Sequence, residues 1–222
     1  MKAPKTYLVL FDLDRTILST NSGNILVREA YKHKLMTSRE FMKAAYLGLC
    51  YRLEVRDTMM ILEEMAEWME GIAEKELQAL ADQVIKRYLI NKIRPEIEDE
   101  LKMHKERGAH IGILSAALAV ICHPIASKFE MDEVICSDME IIDGKYTGKV
   151  VGKLCFGEQK IVSLKKFCDE NDFKLDETYY YADSISDSPV LEAVGHPICV
   201  EPDRRLTAMA KKKGWTIADW AY

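Results

Sequence analysis

The feature that most limits what this chain can fold into is a short apolar run that ends abruptly in charge. Residues 7–13 read Y-L-V-L-F-D-L, rich in β-formers and without helical spacing, and the run closes on Asp12-Leu13-Asp14-Arg15-Thr16. A strand apolar on both faces belongs in the middle of a parallel sheet that is covered on both sides. Polar groups crowded just past its carboxyl end stand where open α/β sheets bind ligands.

From about residue 22 to residue 90 the texture changes. Thr37 and Glu40 form a capping box ahead of Phe41, Ala45 and Leu49. Ile61, Met65, Trp68 and Met69 then recur at helical spacing, as do Leu77, Leu80, Ala81, Val84, Ile85 and Tyr88. The block predicts three or four helices and no strand. After Arg94-Pro95 an α/β alternation begins: a helix from Pro95 to just before Gly108, a strand over 111–114 ending at Ser115, and a strand over 133–137. Segments 140–142 and 145–151 flank Asp143-Gly144, a two-residue hairpin signal. A helix over 158–171 and a strand over 178–182 ending at Asp183 follow, with weaker strands at 198–200 and 215–217. Pro124, inside the helix expected after Ser115, predicts a kink or a delayed start. The expected fold class is α/β: a doubly wound parallel-sheet core built from 1–18 and 92–222, with an α-helical domain, 19–91, threaded into its first loop.

Composition narrows the functional classes. The 222 residues suffice for one core plus a small insertion. Net charge is −5 with Lys and Arg scattered, which argues against a nucleic-acid partner. The longest nearly apolar run, 111–122, is well short of the roughly 20 residues a membrane span needs, so no membrane partner is expected. Lys2 and Lys5 precede the first apolar stretch as in a secretory signal, but Asp12 and Asp14 cut that stretch short, so a cytoplasmic location is expected. The six cysteines are spread out, with no C-x-x-C pair and no His at metal spacing, and read as reduced structural thiols.

Four segments at strand ends or helix starts carry polar groups that a core would not choose: Asp12/Asp14/Thr16, Ser115, Lys160 and Asp183/Asp187. Singly, each has an ordinary explanation, since Asp or Ser after a strand often caps a helix and a helical Lys is usually solvated. Together they match the demands of phosphoryl transfer. A carboxylate nucleophile is repelled by phosphoryl oxygens until their charge is neutralised. Mg²⁺, which favours one or two carboxylates with phosphate and water, does this, and Asp12 and Asp183 can supply the carboxylates with Asp187 nearby. Lys160 adds fixed positive charge, and the Thr16 and Ser115 hydroxyls with adjacent N–H groups can hold the remaining oxygens. Asp14, two residues from Asp12, can protonate the leaving alkoxide and later deprotonate the attacking water.

D-L-D-R-T at 12–16, I-L-S-A at 113–116, G-E-Q-K at 157–160 and A-D-S-I-S-D at 182–187 resemble the four motifs of the haloacid dehalogenase superfamily. The pattern is most similar to its phosphoserine-phosphatase-like branch, with a helical cap after the first motif, and the resemblance spans the whole chain. It implies a Rossmann-like core, Asp12 as nucleophile and Asp14 as acid/base. Phosphate would be bound by Thr16, Ser115, Ala116, Lys160 and Ser186. Magnesium would sit on Asp12, Asp183 and the backbone carbonyl of Asp14, with Asp187 ligating or supporting it. Halide-displacing members usually lack the second Asp, so Asp14 favours phosphate-ester chemistry.

The cap departs from serine-specific relatives. The stretch after the first motif reads S-T-N-S-G, with Asn21 where they carry an acid, and the second motif reads S-A-A in place of S-G-G. Arg28, Lys32, Arg39, Arg52 and Arg56 are the basic groups of the cap, and Arg52 or Arg56 could meet a substrate carboxylate or second phosphate. Tyr31, Tyr46, Tyr51 and Trp68 read as cap core. The expected function is a magnesium-dependent phosphatase acting on a small phosphorylated metabolite through phospho-Asp12. A dedicated phosphoserine phosphatase and a phosphotransferase on the same site stand beside it. A receiver-like or inactive binding module is more remote, because the acceptor lies on the first strand and no acidic motif residue is lost.

Overall fold

The protein is described by a computed structural model over residues 6–53 and 55–220, with the Arg52 side chain also outside the described part. β1 (Leu8–Phe11) is buried along its whole length. It lies at the centre of a six-stranded parallel sheet, between β2 (His110–Leu118) and β6 (Tyr179–Ala182). β3 (Glu133–Ser137) forms one edge, and β7 (His196–Val200) and β8 (Thr216–Ala218) complete the other side. Alternation sends Val9 and Phe11 into one core and Leu8 and Leu10 into another. α5 (Glu96–Glu106) and α6 (Ala119–Lys128) cover the first face. α7 (Glu158–Asn171), α8 (Ser188–Ala193) and α9 (Arg204–Lys213) cover the second. The α/β, doubly wound expectation is met.

Between β1 and α5 lie α1 (Ser22–Lys32), α2 (Ser38–Leu53), α3 (Thr58–Glu64) and α4 (Glu74–Val84), which runs on through a π turn, Ile85–Leu89. The Thr37–Glu40 capping box forms: Glu40 Oε2 accepts from the Thr37 N–H at 2.6 Å, and Thr37 Oγ1 accepts from the Glu40 N–H at 3.3 Å. The chain enters and leaves this block side by side, with the Ser19 N–H donating to Lys92 O at 2.7 Å and the Arg94 N–H to Ile17 O at 2.9 Å.

Two local expectations shift. β2 does not stop at Ser115 but runs to Leu118, with an irregularity in its pairing with β3 between Leu114 and Leu118. α6 therefore starts at Ala119, so the delayed start is what is found, with Pro124 beyond the first turn. The hairpin is β4 (Met139–Ile142) and β5 (Lys145–Val150), with Asp143 and Gly144 both at positive φ, 51° and 73°.

One buried polar chain crosses the first core. Tyr181 donates to Glu100 Oε2 at 2.8 Å, so its oxygen accepts from His104 Nε2 at 2.9 Å, and His104 Nδ1 accepts from the Tyr7 hydroxyl at 2.9 Å. Burial, with Arg107 adding to it, lowers the His104 pKa to about 4. Between about pH 6.5 and pH 4 the unfolded chain thus holds a proton here that the native state does not, and this contribution to stability is lost as pH falls through that window. Denaturant titrations at several pH values should show the stability advantage of the native protein over His104→Gln growing as pH rises from about 4 to about 6.5, then levelling off. An advantage independent of pH would show that His104 is not held neutral.

Candidate active site

The sheet's carboxyl rim gathers the motif residues through strand register. Phe11 pairs with Ile113 on one side and Tyr181 on the other, so Asp12, Ser115 and Asp183 emerge next to one another. The loop after β1 folds back on itself: the Leu18 N–H donates to Leu13 O at 2.9 Å and the Arg15 N–H to Thr20 O at 3.1 Å, with Arg15 at φ 62°. Buried Arg94 braces this loop, donating to Arg15 O at 3.3 Å and to Trp220 O at 2.5 Å.

Lys160 is the hub. It sits in the first turn of α7, set by Gly157 in a backbone conformation (φ 52°, ψ −124°) open only to glycine. Its Nζ donates to Asp12 Oδ1 at 2.9 Å, to Asp187 Oδ1 at 2.5 Å and to the Tyr180 hydroxyl at 3.0 Å. Burial opposes the ammonium charge, but Asp12 and Asp187 overcome it, and the pKa lies well above the usual lysine value.

The carboxylates show the opposite strain. Burial, reinforced by Asp12 and Asp187, pushes Asp183 up to about 8. Asp14 is raised to about 7, chiefly by burial, although its Oδ1 accepts from the Ser22 N–H at 2.8 Å. Burial also raises Asp187, against the pull of Lys160. Carboxylate oxygens of Asp12, Asp183 and Asp187 lie within 4.8 Å of one another. Three buried carboxylates at that spacing are a donor set suited to a hard divalent cation. Asp187, tied to Lys160, is placed to support the other two.

Thr16 Oγ1 is buried with no hydrogen-bond partner among the described residues, an orphaned polar atom that suits a ligand oxygen. Ser115 is buried on β2 with Oγ accepting from the Ala117 N–H at 3.2 Å, and Ala116 beside it is half-buried. Ser186 turns to its own loop, its hydroxyl 3.1 Å from that of Ser184. Of the cap residues, the Arg52 side chain lies outside the described residues. Arg56 is exposed and forked onto Glu64, 3.2 Å for one prong and shorter for the other, so in this arrangement its guanidinium is engaged on the surface of the helical block. Asn21 caps α1, accepting from the Asn24 N–H at 2.9 Å.

Sequence reasoning missed two residues. Tyr180, read only as strand filling, carries the hydroxyl that meets Lys160, Asp187 (3.0 Å) and Leu114 O (3.3 Å). A fully buried tyrosine needs a partner, and that is the signal which could have found it. Asp203 caps α9 and also accepts from the Ile185 N–H at 2.8 Å, while its own N–H donates to Asp183 O at 2.8 Å. Its place before α9 is the local signal that could have found the cap; its second partner lies across the rim.

The sequence profile of the haloacid dehalogenase-like hydrolases matches residues 9–192. A probable phosphatase of Mycobacterium tuberculosis is 28% identical over 214 residues, covering 95% of this chain and 74% of that protein. A histidinol-phosphatase of Neisseria meningitidis is 27% identical over 218 residues, covering 96% of this chain and 98% of that one. A crystal structure of a protein of unknown function from Bordetella pertussis superposes with a TM-score of 0.90 at 26% identity, covering 98% of this chain and 100% of that chain. Phosphoserine phosphatases occur among the relatives and among the similar structures.

A cation at the carboxylates must displace protons, so its affinity should rise with pH. Below the raised pKa of about 8 for Asp183, Mg²⁺ affinity measured by calorimetry should weaken by up to about tenfold per pH unit for the proton displaced there. Affinity unchanged between pH 6 and 8 would count against this. Asp203→Ala should weaken the cation by about 10–100-fold, as loss of an outer support does elsewhere, with circular dichroism unchanged.

Proposed function

The chain belongs to the haloacid dehalogenase-like hydrolases, and from that premise we propose that it is a magnesium-dependent phosphatase that hydrolyses a small phosphate monoester through a phospho-aspartate on Asp12. The observation that carries this reading is the convergence of Lys160, Asp183 and Asp187 on the Asp12 side chain, with the unpartnered Thr16 hydroxyl close by in sequence.

Asp12 Oδ1 is held by Lys160, so attack on phosphorus falls to Oδ2. Lys160 and the Thr16 and Ser115 hydroxyls hold phosphoryl oxygens against the rim. A bound Mg²⁺, held by Asp12, Asp183 and the Asp14 carbonyl with Asp187 in support, supplies the charge neutralisation that lets two anions meet. As the Asp12 Oδ2–P bond forms and the ester P–O bond breaks, Asp14 gives its proton to the departing alkoxide. Its pKa of about 7 keeps a useful share protonated at neutral pH. Water then attacks the phospho-aspartate, Asp14 takes its proton, and inorganic phosphate leaves with Asp12 restored. Residues 19–91 act as the cap that closes over the rim and contacts the leaving group.

The absence of an acid at position 21 speaks for a substrate that is not restricted to phosphoserine. A second reading has a particular observation behind it. Tyr51 of α2 and Phe156, in the loop leading to Lys160, pack edge to face with centroids 6.4 Å apart. Such a pair suits a leaving group with a flat ring, as histidinol phosphate has, and a histidinol-phosphatase matches the chain over nearly its full length.

Asp12→Asn should abolish turnover with the fold intact, and Asp14→Asn should slow it by about 10²–10⁴-fold. A panel of phosphorylated metabolites including phosphoserine and histidinol phosphate, read as released inorganic phosphate, tests the substrate. Activity that survives both Asp12→Asn and chelation would overturn the mechanism, clear preference for phosphoserine would overturn the broader specificity, and transfer to an added alcohol in place of phosphate release would make the protein a phosphotransferase.

A further inference from the structure

The sequence holds no His and Cys at metal spacing, yet the fold brings together a mixed donor set distinct from the carboxylate cluster. His123 lies on α6, Cys136 on the edge strand β3, and Asp138 between β3 and β4. One ligand atom from each, a ring nitrogen, a thiol sulfur and a carboxylate oxygen, lies within 4.8 Å of the other two. We propose that His123, Cys136 and Asp138 form a second metal site, for a borderline-soft divalent cation of the zinc class, with a fourth position open to water or a ligand.

The donor chemistry separates this site from the first. Thiolate and imidazole select zinc-like cations, whereas the all-carboxylate cluster at Asp12 suits magnesium. Tetrahedral bonds of about 2.0–2.3 Å place ligand atoms about 3.6 Å apart, so closure around an ion needs movements of about 1 Å. Two of the three side chains are free to make them. His123 and Asp138 are exposed, and neither side chain has a hydrogen bond or ion pair with any described residue. Cys136 is half-exposed and stands with the other two donors, while fully buried Cys122, whose thiol is hydrogen-bonded to that of Cys136 and to Ala117 O at 3.6 Å, does not, so Cys136 is the thiol that can ligate.

The position gives such an ion a consequence. α6 packs on α4 of the helical block. β5, the hairpin strand that follows β4, bonds to the segment before α4: the Gly71 N–H donates to Tyr146 O at 2.8 Å and the Tyr146 N–H to Ile72 O at 2.9 Å. A cation joining His123 to Cys136 and Asp138 would pin together the two core elements on which that block rests.

The test is Co²⁺ titration of the metal-free, reduced protein with the carboxylate site saturated by Mg²⁺. The expected result is one equivalent of Co²⁺ giving a thiolate-to-cobalt charge-transfer absorption that Zn²⁺ displaces. It should persist in Cys122→Ser, vanish in Cys136→Ser, and need at least about tenfold more Co²⁺ in His123→Ala, a change at an exposed position that spares the core. No such absorption in the native protein, its survival in Cys136→Ser, or an unchanged titration in both His123→Ala and Asp138→Ala would overturn the proposal.

Discussion

The rim of the sheet depends on one buried ammonium. Lys160 is almost wholly removed from water, and it stays charged because Asp12 and Asp187 stand on either side at 2.9 and 2.5 Å. Removing one partner from such a pair leaves a buried charge uncompensated, which is why the arrangement tolerates little change. The balance is also incomplete. Asp12, Asp183 and Asp187 carry three negative charges when ionised against one positive from Lys160, leaving −2. A divalent cation cancels that sum, while burial first, and the neighbouring carboxylates after it, raise the pKa values of Asp183 and Asp187.

What brings the charges together is the parallel sheet and not local sequence. β1 sits between β2 and β6, so residues one or two places beyond paired positions in three strands arrive at one edge. Supports from distant segments then fix the loops: Arg94 under Arg15, Asp203 under the Asp183–Asp187 turn, and Tyr180 between Lys160 and Asp187. Each adds a hydrogen-bond partner to a backbone or charged group of the rim.

The division between legible and illegible follows from this. Strands β1, β3 and β6, the Asp143-Gly144 hairpin and the Thr37 capping box were readable because their signals are local: apolar runs, a positive-φ turn, and a hydroxyl three residues from an acid. The convergence of Asp12, Lys160, Asp183 and Asp187 was readable because charge at strand ends and helix starts is conspicuous. Tyr180 and Asp203 were not, since each resembles what its element would carry anyway and its role depends on a partner far along the chain. The extension of β2 past Ser115 was hidden for a related reason: an irregular pairing with β3 depends on the neighbour, not on the residues 115–118 themselves. His123, Cys136 and Asp138 come together only because α6 lies against the edge strand.

The helical block is not anchored evenly. Near residues 17–19 and 92–94 its two chain crossings are hydrogen-bonded to each other, and the segment before α4 is bonded to β5. Rotation of the whole block about the crossings would break those bonds to β5. α2 and α3, by contrast, share a small core of their own, Leu47, Cys50 and Ile61, separate from the two that flank the sheet. Met42, Tyr46, Leu49 and Leu53 on α2 are exposed. Segments with their own small core and much exposed surface open at lower free-energy cost than the body they join. Tyr51, which meets Phe156 in the loop leading to Lys160, belongs to that less anchored part. The less anchored part is thus the one that carries an aromatic ring against Phe156, while the bonded remainder ties the helical block to β5.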